Sequence, residues 1–157
     1  MISALFFAAF IALPGVPPAR AWEAAQDVTF VVLTDGPLPL SDDADEAREA
    51  TGRLLLEWAA RESALRADAV GDGGRSFGVL QVSRQWLDGH APAEVLASRR
   101  LGLSLGLAVM RVAIAKCGSV RGGLGLYASG KCSGAPSLVA RRCVAAGLTE
   151  MCRSKGS

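Results

Sequence analysis

Arg61-Glu62-Ser63 stands shortly before a glycine-rich segment, Gly-Asp-Gly-Gly-Arg-Ser-Phe-Gly-Val-Leu-Gln-Val, at residues 71–82. An acid at the inward end of a helix, beside Trp58 and Leu55, is partly desolvated. Desolvation raises its pKa and leaves it a proton donor near neutral pH. Cleavage of a glycosidic bond needs such a donor, because the departing sugar oxygen is a poor leaving group until it is protonated. The plainer alternative is a surface Glu paired with Arg61 or Arg66, and spacing alone favours it.

Asp72, within the glycine-rich segment, is the one carboxylate placed in sequence to serve as a second, water-activating base. Ser76 and Gln81 are candidates for binding N-acetyl groups, or for satisfying backbone groups of their own loop. Tyr127, the single Tyr, either bonds substrate, steadies Glu62, or is a partly buried ring with a wet hydroxyl. Trp58 and Trp86 fit sugar-stacking platforms less well than core packing. His90, in Asp-Gly-His-Ala-Pro, reads as a surface turn. No Ser/His/Asp set and no phosphate-binding glycine motif is present. With one His and no C-x-x-C pair, the four cysteines lack zinc-site spacing, so no metal is expected.

The elements that must position these residues follow from patterning. Ser41, ahead of Asp42, Asp43, Asp45 and Glu46, predicts a helix start, and the helix runs to about Ser63 with Leu54, Leu55, Trp58 and Ala59 as its apolar stripe. Upstream, residues 22–40 read as an N-terminal arm whose run at residues 28–33, Val-Thr-Phe-Val-Val-Leu, predicts a short strand. Residues 68–76 read as a loop, and residues 77–83 as a strand or short helix. Residues 101–117 are apolar almost all round. Arg111 and a length of only about 16 residues favour a helix buried at the domain centre over a membrane span. Gly118 ends it, and residues 137–147 predict a last amphipathic helix behind Pro136.

The wording of residues 62–82 resembles the goose-type lysozyme and soluble lytic transglycosylase superfamily. Glu62-Ser63 matches that family's Glu-Ser pair at a helix end, which supplies the indispensable acid. Phe77-Gly78-Val79-Leu80-Gln81 matches the segment that floors its glycan cleft, and Leu126-Tyr127-Ala128-Ser129-Gly130 stands where a Tyr-Asn-Ala-Gly segment lines it. The similarity spans roughly residues 44–147. It implies a mainly helical, lysozyme-like single domain with a buried central helix, acting on the MurNAc–GlcNAc β-1,4 bond of peptidoglycan, with Glu62 as acid and base. Substrate contacts are then expected from Ser63, Ser76, Phe77, Gly78, Gln81 and Tyr127. The loop between the Glu and the Gly-Asp is shorter than in goose-type lysozymes. Ser83 replaces a second Asp those hydrolases can carry, which favours a transglycosylase over a hydrolase that would use Asp72. No cofactor is implied, since the substrate's acetamido or 6-hydroxyl group can complete the chemistry. A catalytically silent glycan-binding or structural module of the same fold is the rival from another class.

The 157 residues are one domain's worth, half of them hydrophobic, with a formal charge of +2. That excludes a disordered chain and gives no basic excess of the kind nucleic-acid binders carry. Residues 1–21 combine an apolar run with Ala19-Arg20-Ala21, which predicts an export signal cleaved after Ala21, or else a membrane anchor. The catalytic domain is then residues 41–157, exported to the periplasm or beyond the cell, and a monomer is expected. In that setting Cys117, Cys132, Cys143 and Cys152 predict two disulfides, with Cys117–Cys132 and Cys143–Cys152 the preferred of three possible pairings. Acids crowd residues 22–57 and bases residues 99–157, which predicts either a basic face toward an anionic polymer or an ordinary solvated surface.

Overall fold

The computed structural model describes residues 13, 15–150 and 152. It is mainly helical: α1 (Pro18–Asp35), α2 (Ala44–Ser63), α3 (Pro92–Ala97), α4 (Arg99–Cys117), α5 (Val120–Ser129) and α6 (Pro136–Ala145). Three two-residue strands between α2 and α3, β1 (Val70–Gly71), β2 (Ser76–Phe77) and β3 (Val82–Ser83), form an antiparallel sheet. Gly71 lies opposite Ser76, and Phe77 opposite Val82.

The run at residues 28–33 is helical, a correction to the predicted strand. Val28, Val31 and Val32 recur at helical spacing with Ala21, Ala24 and Ala25, and all six are buried. Burial of that stripe outweighs the modest preference of β-branched residues for strands. Helix α1 ends at Asp35, and Gly36 follows at φ 86°. Most of the expected export signal falls outside the described residues. Its last three, Ala19, Arg20 and Ala21, belong to the first turn of α1.

The cap of α2 is Asp43 rather than Ser41. Its carboxylate accepts from the backbone N–H groups of Asp45 and Glu46 at 3.0 and 2.8 Å, satisfying two donors the helix leaves open. Ser41 instead donates to the Glu46 carboxylate. Leu54, Leu55, Trp58 and Ala59 are all fully buried, as their spacing predicts.

Helix α4 is the buried centre. Ser98 caps it, Gly118 ends it at φ 69°, and Leu103, Leu107 and Met110 are fully enclosed. It packs against α1, α3, α5 and β3. No single helix among the described residues is long and apolar enough to cross a membrane. Helix α4 carries Gly106 where Leu80 presses on its backbone, and a Cβ there would sit 2.3 Å from Leu80 Cδ1. That close approach seats the segment at residues 78–81 against the central helix.

Both preferred disulfides are present. Cys117–Cys132, with Cα atoms 5.6 Å apart, ties the end of α4 to the loop after α5, and Cys143–Cys152 closes the chain behind α6. Two such bonds are compatible with an oxidising, exported environment.

Candidate active site

A cleft of about 600 Å³ opens between the C-terminal end of α2, the β1–β2 hairpin, and the facing sides of α4 and α5. Its volume is in the range that holds a small ligand or part of a polymer. Glu62, Asp72, Ser76, Gln81 and Tyr127 all line it. Ser63, Phe77 and Gly78 do not: they lie beneath its surface and build it.

Glu62 reaches the cleft because α2 stops immediately after it. Ala64 and Leu65 both adopt left-handed backbone, at φ 52° and 62°, and the N–H groups of Ala64 and Leu65 close on the carbonyls of Ala60 and Ala59. Such a reversal costs on the order of 1–2 kcal/mol per non-glycine residue, and burial of Leu65, fully enclosed, opposes that cost. The Ser63 hydroxyl lies 2.7 Å from the Val79 carbonyl and 3.0 Å from that of Ala59, so its proton links the helix end to the floor segment.

The floor is held from several sides. Gly78 and Gln81 turn the chain at φ 77° and 53°. The Gln81 amide donates to the carbonyls of Gly78 (2.8 Å) and Ala69 (3.2 Å), and a Cβ on Gly71 would come within 2.1 Å of its Oε1. Of the two roles open to Gln81, satisfying the loop backbone is the one its amide N–H groups perform. Ser76 donates to Asp72 Oδ2, Asp72 itself standing at φ 51°. Tyr127 donates to the Leu80 carbonyl at 2.7 Å and packs edge-on to Trp58, with ring centroids 5.9 Å apart. Trp58 is core, whereas Trp86 is 44% exposed at the cleft rim, where a stacking platform would stand.

The electrostatics centre on Glu62. Its pKa is raised from the ordinary 4.5, first by burial and further by the nearby Asp72 charge, against the opposing pull of Arg142. Burial, together with the Glu62 charge, pushes the Tyr127 phenol far above its ordinary range, so it remains a donor. The partner of Glu62 is neither Arg61 nor Arg66, which pair with Glu57 (2.9 Å) and Asp68 (3.0 Å). Arg142 on α6 donates to Glu62 Oε1 at 3.2 Å, and its guanidinium stands 5.6 Å from the centre of the Trp58 ring. Reading the sequence missed Arg142. The usable signal was its position three residues after Val139 and four before Ala146, both buried, which sets a charge on the inward face of α6.

His90 sits at the surface turn that sequence predicts, 3.6 Å from Glu94. Among the described residues, no three His, Cys, Asp or Glu side chains gather where a metal ion could be held. The arrangement can therefore offer a proton from a desolvated carboxyl, a phenol, and a second carboxylate on the facing hairpin. Comparison with protein-family models, curated proteins and solved structures finds no match to the chain.

Proposed function

We propose that the protein cleaves the MurNAc–GlcNAc β-1,4 bond of peptidoglycan as a lytic transglycosylase, outside the cytoplasm, with Glu62 as its single acid and base. The observation that carries this reading is one carboxyl, desolvated to a raised pKa, at the wall of a cleft of about 600 Å³. The resemblance of residues 62–82 supports the choice of substrate.

In the proposed reaction the Glu62 carboxyl gives its proton to the glycosidic oxygen as the bond from C1 to that oxygen breaks, the electron pair leaving with the oxygen. The substrate's acetamido oxygen supports the positive charge at C1. The Glu62 carboxylate then takes the proton of the same sugar's 6-hydroxyl while its oxygen bonds to C1, closing a 1,6-anhydro ring. Atoms and charge balance without water or cofactor. Tyr127 holds the Leu80 carbonyl and so the floor beneath the reacting bond.

A hydrolase reading is favoured by one observation: Asp72 lines the same cleft and its charge is felt at Glu62, as a water-activating base would require. The Asp72 carboxylate is engaged by Ser76, which fits a structural role in the hairpin equally well. Zymography in peptidoglycan gels with the wild type and Glu62→Gln tests catalysis itself. Clearing by the wild type alone is expected; equal clearing by both would overturn the role given to Glu62, and clearing by neither would leave a glycan-binding module as the better account.

A further inference from the structure

Among the described residues, Arg142 is the one cation paired with Glu62, and it comes from 80 residues further along the chain. Its side chain is only 12% exposed, and its Nε, also buried, has no hydrogen-bond partner among the described residues. A buried arginine serving the fold alone is expected to have its donors satisfied. Here the hydrogen bond that is made goes to the proposed acid. Glu57, whose charge also acts on Arg142, is 6% exposed and already paired with Arg61, so loss of Arg142 would not leave Glu57 unpaired.

We infer that Arg142 is a positioning residue for the reaction, holding the Glu62 carboxyl against the cleft wall and stabilising the carboxylate that proton donation leaves behind. The inference rests on the proposed role of Glu62. When the glycosidic oxygen takes the Glu62 proton, a full negative charge appears 3.2 Å from a guanidinium in a partly desolvated site. The neutral acid before transfer gains far less from that neighbour. The pair is therefore stronger after proton donation than before it, the differential binding that lowers a barrier. Arg142 makes Glu62 a stronger acid in the first step and a weaker base in the second.

The groups facing Glu62 from the elements around it are Arg142 on α6, Asp72 on the hairpin and Tyr127 on α5. Arg61 and Arg141 act on Arg142 in turn. Of the charges acting on Glu62, Arg142 favours its ionisation and Asp72 opposes it. Removing Arg142 should shift the Glu62 titration upward. Because the acid works when protonated, activity falls as pH rises through that midpoint, and the falling limb should move to higher pH with it.

The test uses Arg142→Gln and Arg142→Lys in the full chain, with thermal unfolding to check the fold. The Glu62 carboxyl is titrated by carbon-13 NMR without substrate, and muropeptide release is followed against pH. For Arg142→Gln we expect the midpoint and the falling limb to rise together by about one unit, with kcat down about tenfold at the wild-type optimum and KM little changed. Arg142→Lys, keeping the charge without the planar fork, should recover most of both. An unmoved Glu62 midpoint in folded Arg142→Gln, with the wild type active, overturns the inference alone. Should Arg142→Gln not fold, a Lys variant that loses activity with Glu62 titrating as in the wild type does the same. A wild type that releases no muropeptides removes the proposed function, and the catalytic part of this inference with it.

Discussion

Glu62 is drawn two ways, toward the neutral acid by burial and toward the carboxylate by Arg142, and burial is the larger influence. Folding therefore binds the Glu62 proton more tightly than the unfolded chain does. The resulting cost to stability is absent below the unfolded value of 4.5, grows as pH rises through that value, and is complete above the raised folded one. Glu62→Gln cannot ionise and escapes it. Urea unfolding of the two proteins should agree at pH 4 and separate in favour of the Gln variant between pH 5 and 8, whereas a constant difference would contradict the burial assigned to Glu62. Glu62 and Asp72 could be found in the sequence because motif and neighbours both mark them. Arg142 could not be found so directly, since its meaning depends on α6 folding back to the end of α2, a contact that local spacing does not encode.

Helices α2 and α6 were legible because each carries an apolar face at helical period and a boundary residue of the right chemistry, and α4 because it is apolar almost all round and stopped by Gly118. Helix α1 was not, for its core of Val28, Val31 and Val32 shares its residue types with a strand, and only the longer window from Ala21 shows the helical period. Helix α5 was hidden differently. Its sequence holds Gly122, Gly123 and Gly125, poor helix formers whose advantage is the lack of a Cβ: one added at Gly123 would lie 2.5 Å from the backbone of Ile114 on α4. Glycine thus permits the close α4–α5 packing that brings Tyr127 to the floor segment. The same logic at Gly106 gives a test. Gly106→Ala should push Leu80 off α4 and lower stability by about 1–3 kcal/mol, as overpacking does. Its denaturation midpoint should fall accordingly, and a midpoint equal to or above the wild type's would show that Leu80 yields freely.

Across the whole molecule, the uneven charge distribution is partly consumed inside the fold. Asp27 on α1 binds Arg99 and Arg100 on α4, at 2.9 and 2.7 Å, and Glu62 binds Arg142. These three bases of the second half therefore pair with acids of the first half instead of contributing to a basic face. The disulfides act on the same scale. Cys143–Cys152 closes a short loop directly beside Arg142, and in the chain-entropy account a loop of that size contributes about 3 kcal/mol. Cys143→Ser with Cys152→Ser should lower the thermal midpoint by several degrees, and an unchanged midpoint would show that α6 is held by packing alone. The pairing was legible as a preference among three because Cys117 ends one helix and Cys132 follows the next apolar segment, while Cys143 and Cys152 sit where a bond would clasp the C-terminal helix. The central claim, that this fold presents Glu62 as the acid and base of a glycan-cleaving reaction without water, is tested most directly by mass analysis of the muropeptides released from purified peptidoglycan. The account predicts 1,6-anhydro ends from the wild type and none from Glu62→Gln. Reducing ends would contradict the transglycosylase chemistry, and intact glycan strands would contradict the cleavage itself.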